Sequence, residues 1–162
     1  METCKQAYAL VRELETRGMT AATAESCTGG LIAKLITDVS GSSRVFAGGF
    51  VTYTNEIKIG VLGVDANVIA RNTEVSHACA GEMAARARER MHTDLAVSTT
   101  GFAGPGGGTD TDPVGTVYIG VSTKNGTVSH RFSASGGATR EEVRFAAACR
   151  ALELLLEAAT NG

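Results

Sequence analysis

Apolar positions along this chain recur with two different periods, and the alternation of these periods predicts the order of its helices and strands. Four segments repeat apolar side chains every three or four positions, which predicts amphipathic helices. These are residues 4–17, 31–39, 75–91 and 140–158. Five short runs rich in β-branched, aromatic or small apolar residues predict strands. These are residues 20–24, 48–54, 95–100, 115–124 and 127–133, with Asn125-Gly126 predicting a hairpin turn between the last two.

Helices alternate with strands until the closing hairpin, which predicts an α/β fold. Strands joined through helices favour parallel pairing, whereas a hairpin joins antiparallel strands, so we expect a mixed sheet. Helices on both faces would give an α/β/α sandwich. No linker, repeat or low-complexity tract interrupts residues 1–162, and this length suits a single domain.

The composition is that of a globular protein and excludes several classes of partner. Hydrophobic residues make up 43% and charged residues 20% of the chain. Because 15 Lys and Arg residues face 17 Asp and Glu residues, with no basic run, we expect neither nucleic acid nor a membrane surface as a partner. The N-terminus has no signal-peptide pattern, so a cytoplasmic location is expected.

Cysteine and histidine spacing argues against a metal or a disulfide framework. The four cysteines, Cys4, Cys27, Cys79 and Cys149, are widely spaced and predict reduced thiols. The three histidines, His77, His92 and His130, lack the spacing of metal ligands, so we expect no metal and no other cofactor. An isolated cysteine such as Cys27 is more often a small buried hydrophobe than a nucleophile.

Three segments rich in glycine and hydroxyl groups are the candidate chemistry of the chain. They are Glu25-Ser26-Cys27-Thr28-Gly29-Gly30, Ser40-Gly41-Ser42-Ser43 and residues 99–108. Glycine buries no side chain and costs backbone entropy, so such loops favour a site where the backbone approaches a ligand. In the first segment, Gly29-Gly30 opens a predicted helix, whose free N–H groups can hold a phosphate or carboxylate. The alternative is that Ser26 or Thr28 simply caps this helix.

The third segment follows a predicted strand, where α/β proteins place their sites. Its glycines, among them Gly101, Gly104 and Gly106, match neither a P-loop nor the G-x-G-x-x-G spacing. Turn formation is the alternative, although Pro105 followed by three glycines is richer than a turn needs.

Ser43 and Lys58 are the candidate catalytic pair. A serine hydroxyl needs a base to take its proton, and lysine can act as that base when burial lowers its pKa from about 10.4. A predicted strand separates the two residues, so they can meet only if the chain folds back. Tyr53 lies between them and could donate to an oxyanion or relay a proton. On residue type alone, the alternatives are a serine that caps a turn, a surface lysine and an ordinary strand aromatic.

Arg140 is the candidate anion-binding residue. It stands in the first turn of the last predicted helix, where a cation opposes the helix macrodipole. A nearby anion would explain this position, and a solvated surface arginine is the alternative. Arg144, one turn further on, has the same ambiguity.

Taken together, these motifs resemble the CinA C-terminal domain family over residues 5–158. Five motifs carry the resemblance in order: Glu25-Ser26-Cys27-Thr28-Gly29-Gly30; Gly41-Ser42-Ser43 with Phe46; segment 49–58, ending in Asn55-Glu56-Ile57-Lys58; segments 101–107 and 113–117; and Arg140-Glu141-Glu142-Val143-Arg144. The family includes bacterial nicotinamide mononucleotide deamidases, which hydrolyse the carboxamide of that nucleotide to nicotinic acid mononucleotide and ammonia. The resemblance therefore implies a cofactor-free amidohydrolase in its stand-alone form, acting on a small-molecule substrate.

The resemblance also assigns roles to individual residues. It implies that Ser43 is the nucleophile and Lys58 the base, with Tyr53 assisting. The expected substrate-binding residues are Ser26, Thr28, Gly29, Gly30, Thr100, Gly101, Gly104, Gly106 and Arg140. The chain departs from the family in one place, because Ala138-Thr139 precedes Arg140 where Gly-Asp is usual. The arginine is thus retained without its acidic neighbour.

Two other functions remain open at this point. One is a phosphate-ligand-binding module that has lost catalysis. The other is a competence- or damage-related interaction protein acting on nucleic acid, which the net charge of −2 disfavours. Whether the protein is a homo-oligomer is left open.

Overall fold

The computed structural model describes residues 4–162, and this part of the chain forms a five-stranded mixed sheet. The strands are β1 (Ala21–Glu25), β2 (Phe46–Val51), β3 (Leu95–Gly101), β4 (Thr116–Thr123) and β5 (Gly126–Ser133). Their order across the sheet is β2-β1-β3-β4-β5. Strand β1 runs parallel to both β2 and β3, whereas β4 and β5 continue the sheet in antiparallel pairing. The predicted mixed sheet is confirmed.

Helices cover both faces of this sheet, which confirms the α/β/α sandwich. One face carries α1 (Lys5–Arg17), α2 (Leu31–Thr37) and α6 (Arg140–Asn161), and the other carries α4 (Ala66–Asn72) and α5 (His77–Met91). Alternate residues of β3 serve the two layers: Leu95 and Val97 pack with the first group of helices and Ala96 with the second. None of the helices in residues 4–162 has the length and apolar character needed to cross a bilayer.

The element boundaries differ from the sequence predictions in several places, and β2 spans Phe46–Val51 rather than residues 48–54. The hairpin turn consists of Lys124-Asn125, because Thr123 already pairs with Gly126, so it lies one residue earlier than predicted. The segment between β2 and α5, for which no structure was predicted, contains α3 (Asn55–Ile57), a π-helical turn (Lys58–Leu62) and α4. That segment folds the chain back over the end of the sheet.

Capping residues define the end of α1 and the start of α6. Gly18 adopts the left-handed conformation with φ of 63° and ends α1. Thr139 and Glu142 form a capping box at the start of α6, in which each side chain accepts from the other residue's backbone N–H. This cap fixes Arg140 as the first residue of α6.

Helix α5 lies directly against the middle of the sheet. A Cβ atom at Gly120 of β4 would stand 2.2 Å from the Ala80 carbonyl oxygen, so only glycine permits this approach. Ser98 of β3 also donates a hydrogen bond to the Ala80 carbonyl. The start of α5, and the link that precedes it, are thereby held close to the carboxyl end of β3.

Glu25, the last residue of β1, closes the N-terminus of α2. Its fully buried carboxylate accepts hydrogen bonds from Thr28 Oγ1 at 2.6 Å and from the N–H groups of Gly30, Ile32 and Ala33 at 3.1, 3.0 and 2.8 Å. A helix leaves such N–H groups free in its first turn, and its macrodipole favours a negative charge there. The turn that follows β1 is therefore held by a carboxylate of the chain itself.

We expect Glu25→Gln to lower the free energy of unfolding by about 1.5–3 kcal/mol, because the amide loses the charge that these donors share. Urea denaturation measures the change. Glu89→Gln is the matched control, since Glu89 is exposed on the last turn of α5, and it should alter the free energy by less than about 0.5 kcal/mol. Equal midpoints for the wild type and Glu25→Gln would contradict the capping role.

Candidate active site

A cleft of about 230 Å³ opens at the carboxyl ends of the three parallel strands. Ser26 follows β1, Lys58 lies beyond β2, and Thr100 lies at the end of β3. The chain passes from β1 to its neighbour β2 and then crosses to β3 on the other side of β1. The boundary between β1 and β3 is thus a topological switch point, which is where open α/β sheets bind ligands.

Lys58 is buried in the wall of this cleft, with 1% of its surface exposed. Its Nζ lies 3.0 Å from Ser26 Oγ, 2.9 Å from the Thr52 carbonyl oxygen and 3.4 Å from the Tyr53 carbonyl oxygen. Burial lowers the pKa of Lys58 from its ordinary value, because desolvation disfavours the ammonium form. The negative charge of Glu74 opposes this shift without reversing it.

As an ammonium, Lys58 Nζ donates to all three oxygens, whereas the neutral amine can keep the two carbonyl contacts while its lone pair faces the Ser26 hydroxyl. A neutral amine has two N–H groups and one lone pair. The carbonyls of Thr52 and Tyr53 can take the two N–H groups, which leaves the lone pair for the Ser26 hydroxyl. Ser26 is therefore the hydroxyl that Lys58 is placed to deprotonate.

The predicted pairing of Ser43 with Lys58 is wrong. Ser43 is exposed in a 3₁₀ turn (Ser42–Arg44) that precedes β2, whereas Lys58 comes after β2. The six-residue strand β2 spans roughly 20 Å, so the two side chains lie towards opposite ends of the sheet. The position of Ser26 directly after β1 could have identified it from the sequence. Parallel neighbours such as β1 and β2 end at the same edge of the sheet, so a residue after β1 can meet one after β2.

The first glycine loop does not form the predicted anion cradle, because Glu25 already occupies the start of α2. Thr28 is fully buried, and its hydroxyl is hydrogen-bonded to Glu25 and Thr99. Gly29 and Gly30 adopt positive φ angles of 60° and 99° in the turn and do not line the cleft. The substrate contacts predicted for Thr28, Gly29 and Gly30 are corrected accordingly: these residues shape the turn that presents Ser26.

Part of the third glycine loop does reach the cleft. Thr100 and Gly101 line it, and the missed residues Phe102 and Ala103 do so as well. Thr100 Oγ1 donates to the Glu74 carbonyl at 2.7 Å, so its hydroxyl can meet a ligand only as an acceptor. Gly101 is required by packing, since a Cβ there would stand 2.4 Å from the Thr116 carbonyl oxygen.

The two remaining glycines of this loop differ in their surroundings. The Gly104 carbonyl accepts a hydrogen bond from Arg140 Nη1 at 2.6 Å, so Gly104 positions the arginine. Gly106 is exposed, and nothing surrounds the place of its missing side chain. Neither glycine lines the cleft, and the predicted substrate contacts of both are corrected in the same way.

Arg140 and Tyr53 form the rim of the cleft. Arg140 Nη2 donates to the Tyr53 hydroxyl at 3.0 Å, and the tyrosine side chain is largely exposed. The phenol keeps its own proton for a ligand. Within residues 4–162, Arg140 has no carboxylate partner, so its charge faces the cleft without an ion pair. Its anion-binding role and the assisting role of Tyr53 stay predictions.

Glu74 is a charged residue of the cleft that sequence reasoning missed. It lies in the link between α4 and α5 and shares the cleft with Lys58 and Arg140. No motif marks this position, because the residue reaches the site only through the tertiary packing of α5 on the sheet.

Thiol chemistry has little support at this site. Burial raises the pKa of the Cys27 thiol to about 12, so it stays protonated at neutral pH. All four cysteines are free thiols, as their spacing predicted. Across residues 4–162, no group of three or more His, Cys, Asp or Glu side chains is arranged to hold a metal ion.

Sequence comparison relates this chain to the CinA family. The model of the CinA C-terminal domain matches residues 4–159. The CinA-like protein of Synechocystis sp. is 47% identical over 148 residues, which are 91% of this chain and 35% of that protein. The CinA-like protein of Myxococcus xanthus is 48% identical over 153 residues, 93% of this chain and 36% of that protein. The chain thus spans about a third of the length of these relatives.

Solved structures share the fold over nearly their whole length. The competence/damage inducible protein CihA from Agrobacterium tumefaciens superposes with a TM-score of 0.90 at 40% identity, covering 94% of this chain and 93% of that chain. A CinA superfamily protein from Klebsiella pneumoniae gives a TM-score of 0.93 at 31% identity, covering 100% of both chains. The sequence match, the shared fold and the resemblance of the motifs agree: this chain belongs to the CinA C-terminal domain family.

Proposed function

We propose that this protein is an amidohydrolase in which Ser26 is the nucleophile and Lys58 the general base. The observation that carries the proposal is the buried hydrogen bond between Lys58 Nζ and Ser26 Oγ at 3.0 Å. Burying a lysine is unfavourable unless its charge is neutralised or paired. Burial therefore favours the neutral amine, which is the form of lysine that acts as a general base. A module that only binds ligands would have no need of it.

The proposed substrate is nicotinamide mononucleotide, which the family resemblance implies. It carries a carboxamide for Ser26 to attack and a phosphate that Arg140 can bind. The exposed rim formed by Arg140 and Tyr53 supports this orientation, with the phosphate outward and the amide towards the buried lysine.

The proposed reaction proceeds in two halves. Lys58 takes the Ser26 proton as Oγ attacks the amide carbon, and backbone N–H groups that line the cleft stabilise the oxyanion. The Lys58 ammonium then gives its proton to the amide nitrogen, the C–N bond breaks, and the nitrogen departs as ammonia and leaves an ester on Ser26. A water molecule, deprotonated by Lys58, hydrolyses this ester to release nicotinic acid mononucleotide and restore the serine. The sum is one amide and one water converted to one acid and ammonia.

We expect Ser26→Ala to lower kcat for ammonia release from nicotinamide mononucleotide by about 10³-fold or more, because the attacking oxygen is removed. Ser43→Ala is the matched control. It removes an exposed hydroxyl far from the cleft and should leave kcat within about twofold of the wild type. If Ser43→Ala abolishes turnover and Ser26→Ala retains it, the proposed nucleophile is wrong.

Arg140→Ala should weaken binding of the phosphorylated substrate by about ten- to a hundredfold, the effect of losing one charge-assisted contact. The Michaelis constants for nicotinamide mononucleotide and for nicotinamide riboside, which lacks the phosphate, measure this effect. Tyr53→Phe is the control, because it removes the contact between Arg140 and the phenol hydroxyl but keeps the arginine. Equal weakening of the two substrates would show that Arg140 does not bind the phosphate.

A further inference from the structure

Glu74 is the charged residue of the cleft to which the proposed mechanism gives no role. Its side chain is partly buried, and within residues 4–162 it meets no salt-bridge partner. The two basic residues of the cleft are bonded elsewhere: Lys58 to Ser26 and backbone carbonyls, and Arg140 to the Gly104 carbonyl and a phenol. A carboxylate drawn out of water without a counter-charge is unfavourable, so its position is best explained by a cation that enters the cleft.

The backbone that carries Glu74 is held in an uncommon conformation. The preceding residue, Thr73, has a φ of 67°, which β-branched residues rarely adopt. The hydrogen bonds that hold this link include Thr73 N to the Ile69 carbonyl at 2.8 Å, Ser76 Oγ to the Thr73 carbonyl at 3.0 Å, and Thr100 Oγ1 to the Glu74 carbonyl at 2.7 Å. Strain of this kind concentrates at ligand sites, because the surrounding contacts must fix a side chain in one place.

Glu74 also lines the same cleft as Ser26 and Lys58, the reacting groups of the proposed mechanism. Its negative charge acts on the pKa of Lys58, whose amine contacts the nucleophilic Ser26. In the proposed substrate, the carboxamide is attached to a ring that carries a permanent positive charge. When that amide lies against Ser26, the ring lies in the same cleft as Glu74. Opposite charges that share a partly dry cleft attract each other.

We propose that Glu74 recognises the positive charge of the substrate ring and so selects pyridinium carboxamides over neutral ring amides of the same size. This inference rests on the proposed function, since it concerns the same site. The cleft would then recognise a charge at each end of the substrate: Arg140 would bind the phosphate, and Glu74 would bind the cationic ring. Glu74 is a specificity-determining residue in this scheme and takes no part in proton transfer.

The test compares two ligands of nearly the same size, one with a cationic ring and one whose ring is neutral because it has gained a hydride. Nicotinamide mononucleotide has a cationic ring, and its dihydro form has a neutral ring with the same amide, ribose and phosphate. Calorimetric titration in a Ser26→Ala background measures binding without turnover. We expect Glu74→Gln to weaken the cationic nucleotide about tenfold and to change the affinity of the dihydro form by less than about twofold. The retained affinity for the dihydro form also shows that the variant is folded.

Glu89→Gln is the control for net charge, because it removes the same charge from an exposed position at the far end of α5 and should alter neither affinity. Equal weakening of both ligands by Glu74→Gln would overturn the role of Glu74 while leaving the proposed function intact. No effect on either ligand would also overturn it. Failure of the Ser26→Ala protein with an intact Glu74 to bind either nucleotide would overturn the proposed function itself, and this inference with it.

Discussion

The contact between the buried amine of Lys58 and the hydroxyl of Ser26 is the interaction on which the site depends. It exists because β1 and β2 are parallel neighbours, so that the residues following them meet at one edge of the sheet. The π-helical turn that begins at Lys58 directs the amine back over this edge, and the carbonyls of Thr52 and Tyr53 hold it there. The fold thus supplies the position of the base, and burial supplies its lowered pKa.

Two glutamates near this contact have different roles because their hydrogen-bond and salt-bridge partners differ. Glu25 is fully buried and satisfied by four donors, three of them from α2 and the residue before it, so it belongs to the framework. Glu74 is less buried but has no salt-bridge partner in residues 4–162, and it remains available to a ligand. The glycines near the site also differ in role. Packing against β4 requires a glycine at position 101, whereas a side chain at position 106 would point into open space. Residue type alone predicted neither distinction.

Much of the fold could be predicted from the sequence, because periodicity and capping are local. The helix that ends at Gly18 and the capping box at Thr139 are examples. Lys58 was named as a candidate base because the family resemblance supported it, whereas residue type alone left a surface lysine open. The partner predicted for it, Ser43, is wrong, because the choice between Ser26 and Ser43 depends on which strands are neighbours and at which edge they end. Glu74 was missed for the same reason, as it reaches the cleft only through tertiary packing.

Titration of Lys58 decides whether it is a base with a lowered pKa. Carbon-13 at the lysine ε position can be followed by NMR against pH, with the Lys58 signal identified by its loss in Lys58→Met and the exposed Lys124 as an internal reference. We expect Lys58 to titrate clearly below about 10.4, the ordinary pKa of lysine. Titration at or above that value would mean that the buried amine is a stable ammonium, and would contradict the proposal that it activates Ser26.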